Sequence, residues 1–259
     1  MMSQNTRNIR YLILLLILLA VAGNEMMARL KVASWDQTLQ VRIYAINADS
    51  RPVTKNYIDG LGTKDFKSIE AFINSEARRY DIDIDAIKVE YAGELLEIPP
   101  QPPLLGSVLE NIFWSLRFRA WAWYWGMTTG NRTADVNLFV NYFDLETTPA
   151  LHHSVGLRGG LIGLINAFAD NAYRGSNNVV IAHELMHTFG ASDKYDASNQ
   201  PIFPDGYADA YQDPLYPQKR AEIMGGRIPL SPTQSRMPES LSDVAVGVFS
   251  AAEMHWPIN

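Results

Sequence analysis

An α+β domain with α/β-like alternation, built on one twisted sheet, is the fold class this sequence predicts. Segments of two-residue apolar periodicity alternate along the chain with segments of helical periodicity. The 259 residues suffice for one sizeable core. A balance of 47% hydrophobic to 19% charged residues is that of a globular protein. No internal repeat is evident. The net charge of −6 gives no basic face, so nucleic acid is not an expected partner. There is no cysteine, which excludes disulfides, thiolate zinc ligands, a cysteine nucleophile and a lipidated cysteine anchor.

The elements follow in chain order. Arg7 and Arg10 precede the apolar run YLILLLILLAVAG, Tyr11 to Gly23. A positive stretch before such a run reads as a signal peptide or signal anchor over residues 1–23. Ala20–Ala22 is an acceptable small-residue cleavage site, and the run is short of the roughly 20 residues of a spanning helix. Cleaved or retained, it implies export. The body would be periplasmic or extracellular, or anchored to the inner membrane by residues 11–23. Residues 24–259 are expected to form one domain.

LQVRIYAINAD, from Leu39, alternates as a strand, and TKDFKSIEAFINSEARRY follows as a helix. Thr63 or Asp65 is its expected cap, and Phe66, Ile69, Phe72, Ile73 and Ala77 form its apolar stripe. Residues 86–95 are a second strand. The proline-rich IPPQPPL leads to a helix over 105–127 that is apolar around most of its circumference. Residues 135–143 are a strand with Val136, Leu138, Val140 and Tyr142 on one face. Residues 155–169 read as one or two glycine-interrupted strands. A helix runs from about Asn178 to Phe189, with Ser176 or Asn177 as its cap. Residues 196–238, rich in Pro, Gly, Tyr and Asp, form a long loop. ESLSDVAVGVFSAAEMHW closes the chain as a helix.

The chemistry concentrates in HELMHTFGASD, residues 183–193. A spacing of four stacks His183 and His187 on one helix face, where both can offer a ring nitrogen to one ion. Glu184 lies beside them, positioned to take a proton from a metal-bound water. A catalytic zinc needs a third protein ligand. Gly190 can adopt the left-handed conformation that ends a helix, which lets the chain return with Asp193 at the open position. His152, His153 and His255 are other candidates, as are Glu222, Glu239 and Glu253, but none has the spacing of a turn after the helix. The plain alternative is a surface helix with chance polar spacing.

HELMHTFGASD resembles the extended H-E-x-x-H-x-x-G-x-x-H/D motif of the metzincin zinc peptidases. Its aspartate form is similar to the snapalysin-like and immune-inhibitor-like bacterial peptidases. EIMGG, residues 222–226, resembles the Met-turn of that clan, which would assign Met224 to the turn beneath the metal. The resemblance implies a metzincin-like catalytic domain with zinc as cofactor and a peptide or protein as substrate. It implies an exported zinc endopeptidase that uses a zinc-bound water, with Glu184 as general base. Tyr195, Tyr207, Tyr211 or Tyr216 would add a hydroxyl donor to the oxyanion, and nothing in the sequence chooses among them. The edge strand for an extended substrate would come from 152–165. There Gly156, Gly159, Gly160 and Gly163 either admit a second backbone or make a tight hairpin. The aromatic helix, an insertion near 104–130, does not belong to that plan.

In FWSLRFRAWAWYWGM, 113–127, Trp114, Phe118, Trp121 and Trp125 share one helical face, and Ile112, Leu116 and Trp123 lie elsewhere. Such a girdle suits a membrane interface or partner surface, against the plain reading of a buried helix. Membrane contact through this helix and the N-terminal segment is therefore one expectation. DIDID, 81–85, lacks the glycine and glutamate of a calcium loop and reads as a solvated turn. Two other functions compete with the endopeptidase. One is a zinc hydrolase of cell-wall peptides, and the other a non-catalytic, membrane-tethered zinc module, for which Glu184 would be superfluous.

Overall fold

The computed structural model describes residues 30–103, 106–128, 134–157 and 160–258, with Leu12, Gly23, Met26 and Met27. Most of the apolar run 11–23, and Gly159, lie outside the described residues. Five strands form the main sheet: β1 (Leu39–Asn47), β2 (Ile87–Leu95), β3 (Val136–Phe143), β4 (Val155–Leu157) and β5 (Ile162–Phe168). Their order is β2-β1-β3-β5-β4. All neighbours are parallel except β4, which returns antiparallel along β5 as the edge strand. The fold is thus a mixed α/β arrangement, a mostly parallel sheet flanked by helices.

Parallel neighbours need crossovers, and helices supply them. Helices α1 (Pro52–Asp59) and α2 (Lys67–Arg79) link β1 to β2, and α3 (Val108–Thr128) links β2 to β3. The motif helix α4 (Arg174–Phe189) follows β5, and α5 (Val248–Glu253) lies near the end of the chain. Because helices cover both faces, the strands are apolar on both. Val41, Ile43, Leu138 and Val140 join one core with Ile69 and Ile73 of α2 and Ile181 and Leu185 of α4. Tyr44, Ile46, Phe139 and Leu164 face the other way, onto Trp114, Phe118 and Ala122 of α3.

Several elements differ from the sequence reading. Helix α1 was not expected: its only buried residues are Thr54 and Ile58, too few to make a stripe. Pro52 starts it after an extended Arg51, a conformation suited to a first helical position. The closing helix expected over 239–256 is mostly absent. A 3-10 turn, Leu241–Asp243, leads into a short strand, Val244–Ala245, which pairs with Ala221–Glu222, and only Val248–Glu253 is helical. The Ile223 N–H donates to Ala245 at 2.9 Å, so the valine-rich stretch before Gly247 finds sheet partners. The long loop also carries a hairpin, Ile228–Ser231 with Gln234–Arg236.

The aromatic face of α3 that could have been a membrane or partner surface is instead its packed side, as the plain reading of a buried helix has it. Trp114, Phe118 and Ala122 are buried, with Trp121 and Trp125 packed against them. Ile112, Leu116 and Trp123 are exposed. Among the described residues, no helix is long and apolar enough to cross a membrane.

Candidate metal centre

The site begins with how α4 is held. The helix starts at Arg174, so Ser176 and Asn177, the expected caps, lie inside its first turn. Asp170 performs that task for the 3-10 turn leading in, accepting from the Ala172 N–H at 2.8 Å. Asn177 is spent on β5 instead. Its amide donates to the Phe168 carbonyl at 2.9 Å and accepts from the Phe168 N–H at 3.2 Å. Asn178 donates to Asp65 and Ser68 at the start of α2. These bonds fix the helix on the sheet while Val179, Ala182, Met186 and Phe189 fill the core beneath it.

At the other end, Gly190 takes φ +117°, the left-handed cap that the sequence predicts. Its N–H and that of Ala191 both return to the Met186 carbonyl at 3.1 Å. The chain reverses there and brings Asp193 back over the helix. A second tie holds the returning loop. Glu253 of α5 accepts from the Ser192 N–H at 2.8 Å, the Ser192 hydroxyl at 2.6 Å and the buried Lys194 ammonium at 2.7 Å. The Lys194 N–H donates to the Met224 carbonyl at 2.9 Å.

The polar groups then converge. His183 and His187 pack edge to face with ring centroids 4.6 Å apart. Each commits Nδ1 to a carbonyl: His183 to Ile223 at 2.9 Å, His187 to Ala191 at 2.8 Å. In the neutral tautomer that donates there, each Nε2 presents a lone pair. Asp193 Oδ1 lies 3.2 Å from His183 Nε2 and 3.1 Å from His187 Nε2. Three acceptors at that separation repel unless a cation lies among them. Without a metal, a proton takes that place. Burial pushes His183 down, but the Asp193 hydrogen bond, the Glu184 charge and the Ile223 carbonyl lift it to about 9. Burial also acts against the Asp193 charge, yet its bonds to both imidazoles hold its pKa well below the usual carboxylate range.

Glu184 completes the group. Ligand atoms of His183, Glu184 and His187 lie within 4.8 Å of one another, an arrangement that could hold a metal ion. The Gly156 N–H donates to its carboxylate, while Oε2 is fully buried with no hydrogen-bond partner among the described residues. Burial raises its pKa, more than the two histidines and the Gly156 bond lower it. A buried, unpaired carboxylate oxygen is costly unless water or a cation completes it. The two lone pairs and the Asp193 carboxylate are a donor set that suits zinc, with the Glu184 oxygen beside them. Asp193 is 43% exposed against 12% and 16% for the imidazoles, so the site opens on the Asp193 side.

The other candidate ligands are elsewhere. Glu222 is fully buried, accepting from the Gly225 and Gly247 N–H groups, and Glu253 is held by Ser192 and Lys194. The carbonyls of His152 and His153 take the Asn166 amide, and both side chains point to exposed surface. Met224 is fully buried in the 222–226 turn, whose Ile223 carbonyl orients His183. Of the four tyrosines, Tyr195 stands beside the centre. Its ring lies over His183 at 6.2 Å, and Asp193 is close enough to act on its hydroxyl. Burial and the Asp193 charge raise its pKa, so it remains a neutral donor. Tyr207 and Tyr216 pair with each other at 2.8 Å, and Tyr211 projects into solvent.

Sequence reasoning missed the role of Gly156. A Cβ there would strike the Glu184 carbonyl oxygen and lie 2.6 Å from the His187 Cβ. The glycine lets the edge strand press against the motif helix and donate to Glu184. It serves a close approach within the chain, in the antiparallel pairing of β4 with β5 that the hairpin reading of these glycines expected. Only the adjacent strand makes this visible.

No protein-family model matches the chain. Among curated proteins it is similar to a UDP-N-acetylglucosamine–N-acetylmuramyl-(pentapeptide) pyrophosphoryl-undecaprenol N-acetylglucosamine transferase of Pseudomonas putida (strain GB-1). The identity is 32% over 84 residues, covering 30% of this chain and 23% of that enzyme. So short a match shows no family, and the geometry above is what bears on function.

Proposed function

We propose that this chain is an exported zinc endopeptidase with a metzincin-like catalytic domain. His183, His187 and Asp193 hold the metal, and Glu184 is the catalytic base. The observation that carries this reading is the convergence of His183 Nε2, His187 Nε2 and Asp193 Oδ1 beside the unpaired Glu184 Oε2. A bound zinc supplies Lewis acidity there, polarising a carbonyl and acidifying water.

The chain's own groups do the rest. Glu184, buried and made more basic by that burial, is suited to take a proton from an attacking water and hand it to the departing amine. The carbonyls of Ile223 and Ala191 hold the imidazoles in the tautomer that faces the metal. Tyr195, neutral and beside Asp193, is placed to donate its hydroxyl to that carboxylate or to the substrate oxyanion. β4, the edge strand over the helix, has no strand on its outer side among the described residues, where a peptide backbone could pair. Met224 supports the metzincin reading as a buried methionine in a turn that touches both the His183 and Lys194 backbone–side-chain network.

A peptide-library digest with the zinc-loaded chain, and Glu184→Ala as control, tests the reading. Cleavage by the native chain alone is expected. A loaded native chain that cuts no library peptide would remove the endopeptidase and leave a zinc-binding module.

A further inference from the structure

The second apolar region of the molecule is the outer face of α3. At 3.6 residues per turn, Leu109, Ile112, Phe113, Leu116, Trp123 and Tyr124 fall within one arc of that helix. All six are exposed, Trp123 at 68% and Leu109 at 67%. The opposite arc is occupied by Trp114, Phe118 and Ala122, buried on the sheet. The charges lie off the outer arc. Glu110 accepts from the Ser107 N–H and hydroxyl at the helix start, Arg119 bonds Ser115, and Arg117 borders the arc. An apolar face this continuous is a contact surface rather than scattered exposure.

Topology says where that face points. Trp114 Nε1 donates to the Pro100 carbonyl at 2.8 Å, close to where the chain leaves β2. The crossover then carries α3 back towards the start of β3, so Trp123 and Tyr124 lie at the N-terminal ends of the strands. The chain enters the body at that same end. Lys31 pairs with Asp135 at 2.5 Å, just before β3, and Asp135 also caps the Gln40 N–H of β1. Lys31 follows the apolar run Tyr11–Gly23 by eight residues. The Trp–Tyr pair at that end of the sheet is the kind enriched at lipid headgroups, and in sequence the apolar run 11–23 precedes the chain's entry there.

We propose that the outer face of α3 lies in the surface of a lipid bilayer. Helix α3 carries Glu110, Arg117 and Arg119 and does not span; it rests at the interface through its apolar arc. The edge strand lies next to it, because Val155 and Leu157 of β4 pack on the α3 cluster. β4 is thus held close to the membrane. This inference stands apart from the zinc reading.

The absence of native cysteine makes the test direct. Phe113→Cys, Trp123→Cys and, as control, the exposed Thr233→Cys are spin-labelled in the full chain. The labelled chains are then added to phosphatidylethanolamine–phosphatidylglycerol vesicles. The expected result is a several-fold fall in collision with a water-soluble relaxant at 113 and 123, and a matching rise with oxygen. The 233 label should not change. Outer-face labels that stay as water-accessible as the control would overturn the proposal. So would labels shielded from both relaxants equally with and without vesicles, which would mean that a second copy or residues 11–23 covers the helix.

Discussion

Helices α3 and α4 lie on opposite faces of one sheet and distribute polarity in opposite ways. α4 turns polar side chains inward: Asn177, Asn178, Glu184 and Thr188 are buried. α3 turns apolar side chains outward. Each arrangement runs against the ordinary rule that polar groups face water and apolar groups face the core. Burying a polar group is costly unless it has a partner. On α4, Asn177, Asn178 and Thr188 have partners, whereas Glu184 Oε2 and, at the helix start, Arg174 Nε have none among the described residues. Only Glu184 Oε2 lies beside two imidazoles and an aspartate. On α3 the inner face already supplies the packing the fold needs, so the outer face contributes nothing to the stability of the isolated chain. The contrast sets a helix with a buried polar cluster against one with an exposed apolar face.

The comparison yields predictions that differ by helix. The largest effect belongs to α4. Glu184→Ala should lower peptide turnover by roughly a hundred- to ten-thousand-fold while zinc content holds, as expected for loss of a general base. An equal loss of zinc would make Glu184 a ligand and change its role. Next is the inner face of α3. Phe118 is fully buried between Trp114, Trp121 and Phe139. Truncation to alanine should cost about 3–5 kcal/mol in denaturant unfolding. A cost below about 1 kcal/mol would show that α3 is not part of the folded core.

A smaller effect is expected at the turn between the helix and its third ligand. Gly190→Ala places a side chain at φ +117° and should cost about 1–2 kcal/mol. Because that cap aims Asp193, zinc affinity should fall with it, measured by competition with a chelator. Unchanged affinity would detach the turn from the site. The smallest effect is on the outer face of α3: Trp123→Ser should change stability in solution by no more than about 0.5 kcal/mol. A larger loss would mean that this face packs within the protein.

Legibility in the sequence followed the range of the interactions. The His183–His187 spacing, the Gly190 cap and the return of Asp193 are local, fixed by helical period and one glycine, and they stand as expected. The strand faces of β1 and β3 were also legible, because period-two alternation is local. What depended on distant neighbours was not. Val244–Ala245 pairs with Ala221–Glu222, so a stretch with helical composition became strand. The Gly156 contact with α4 requires β4 to lie over the helix. Asn177 looked like a cap because its partner, the end of β5, could not be seen from spacing. For α3, periodicity placed the four aromatic residues on one side. Only the packed sheet shows which side is inside and that the other remains apolar and exposed.

Zinc content of the purified chain tests the central claim most directly, measured by atomic absorption after equilibration with limiting zinc and gel filtration. The native chain and Glu184→Ala should each retain one zinc per chain, and Asp193→Ala should retain little or none. Native chain without zinc, or Asp193→Ala with a full complement, would contradict the assignment of His183, His187 and Asp193 as the ligands.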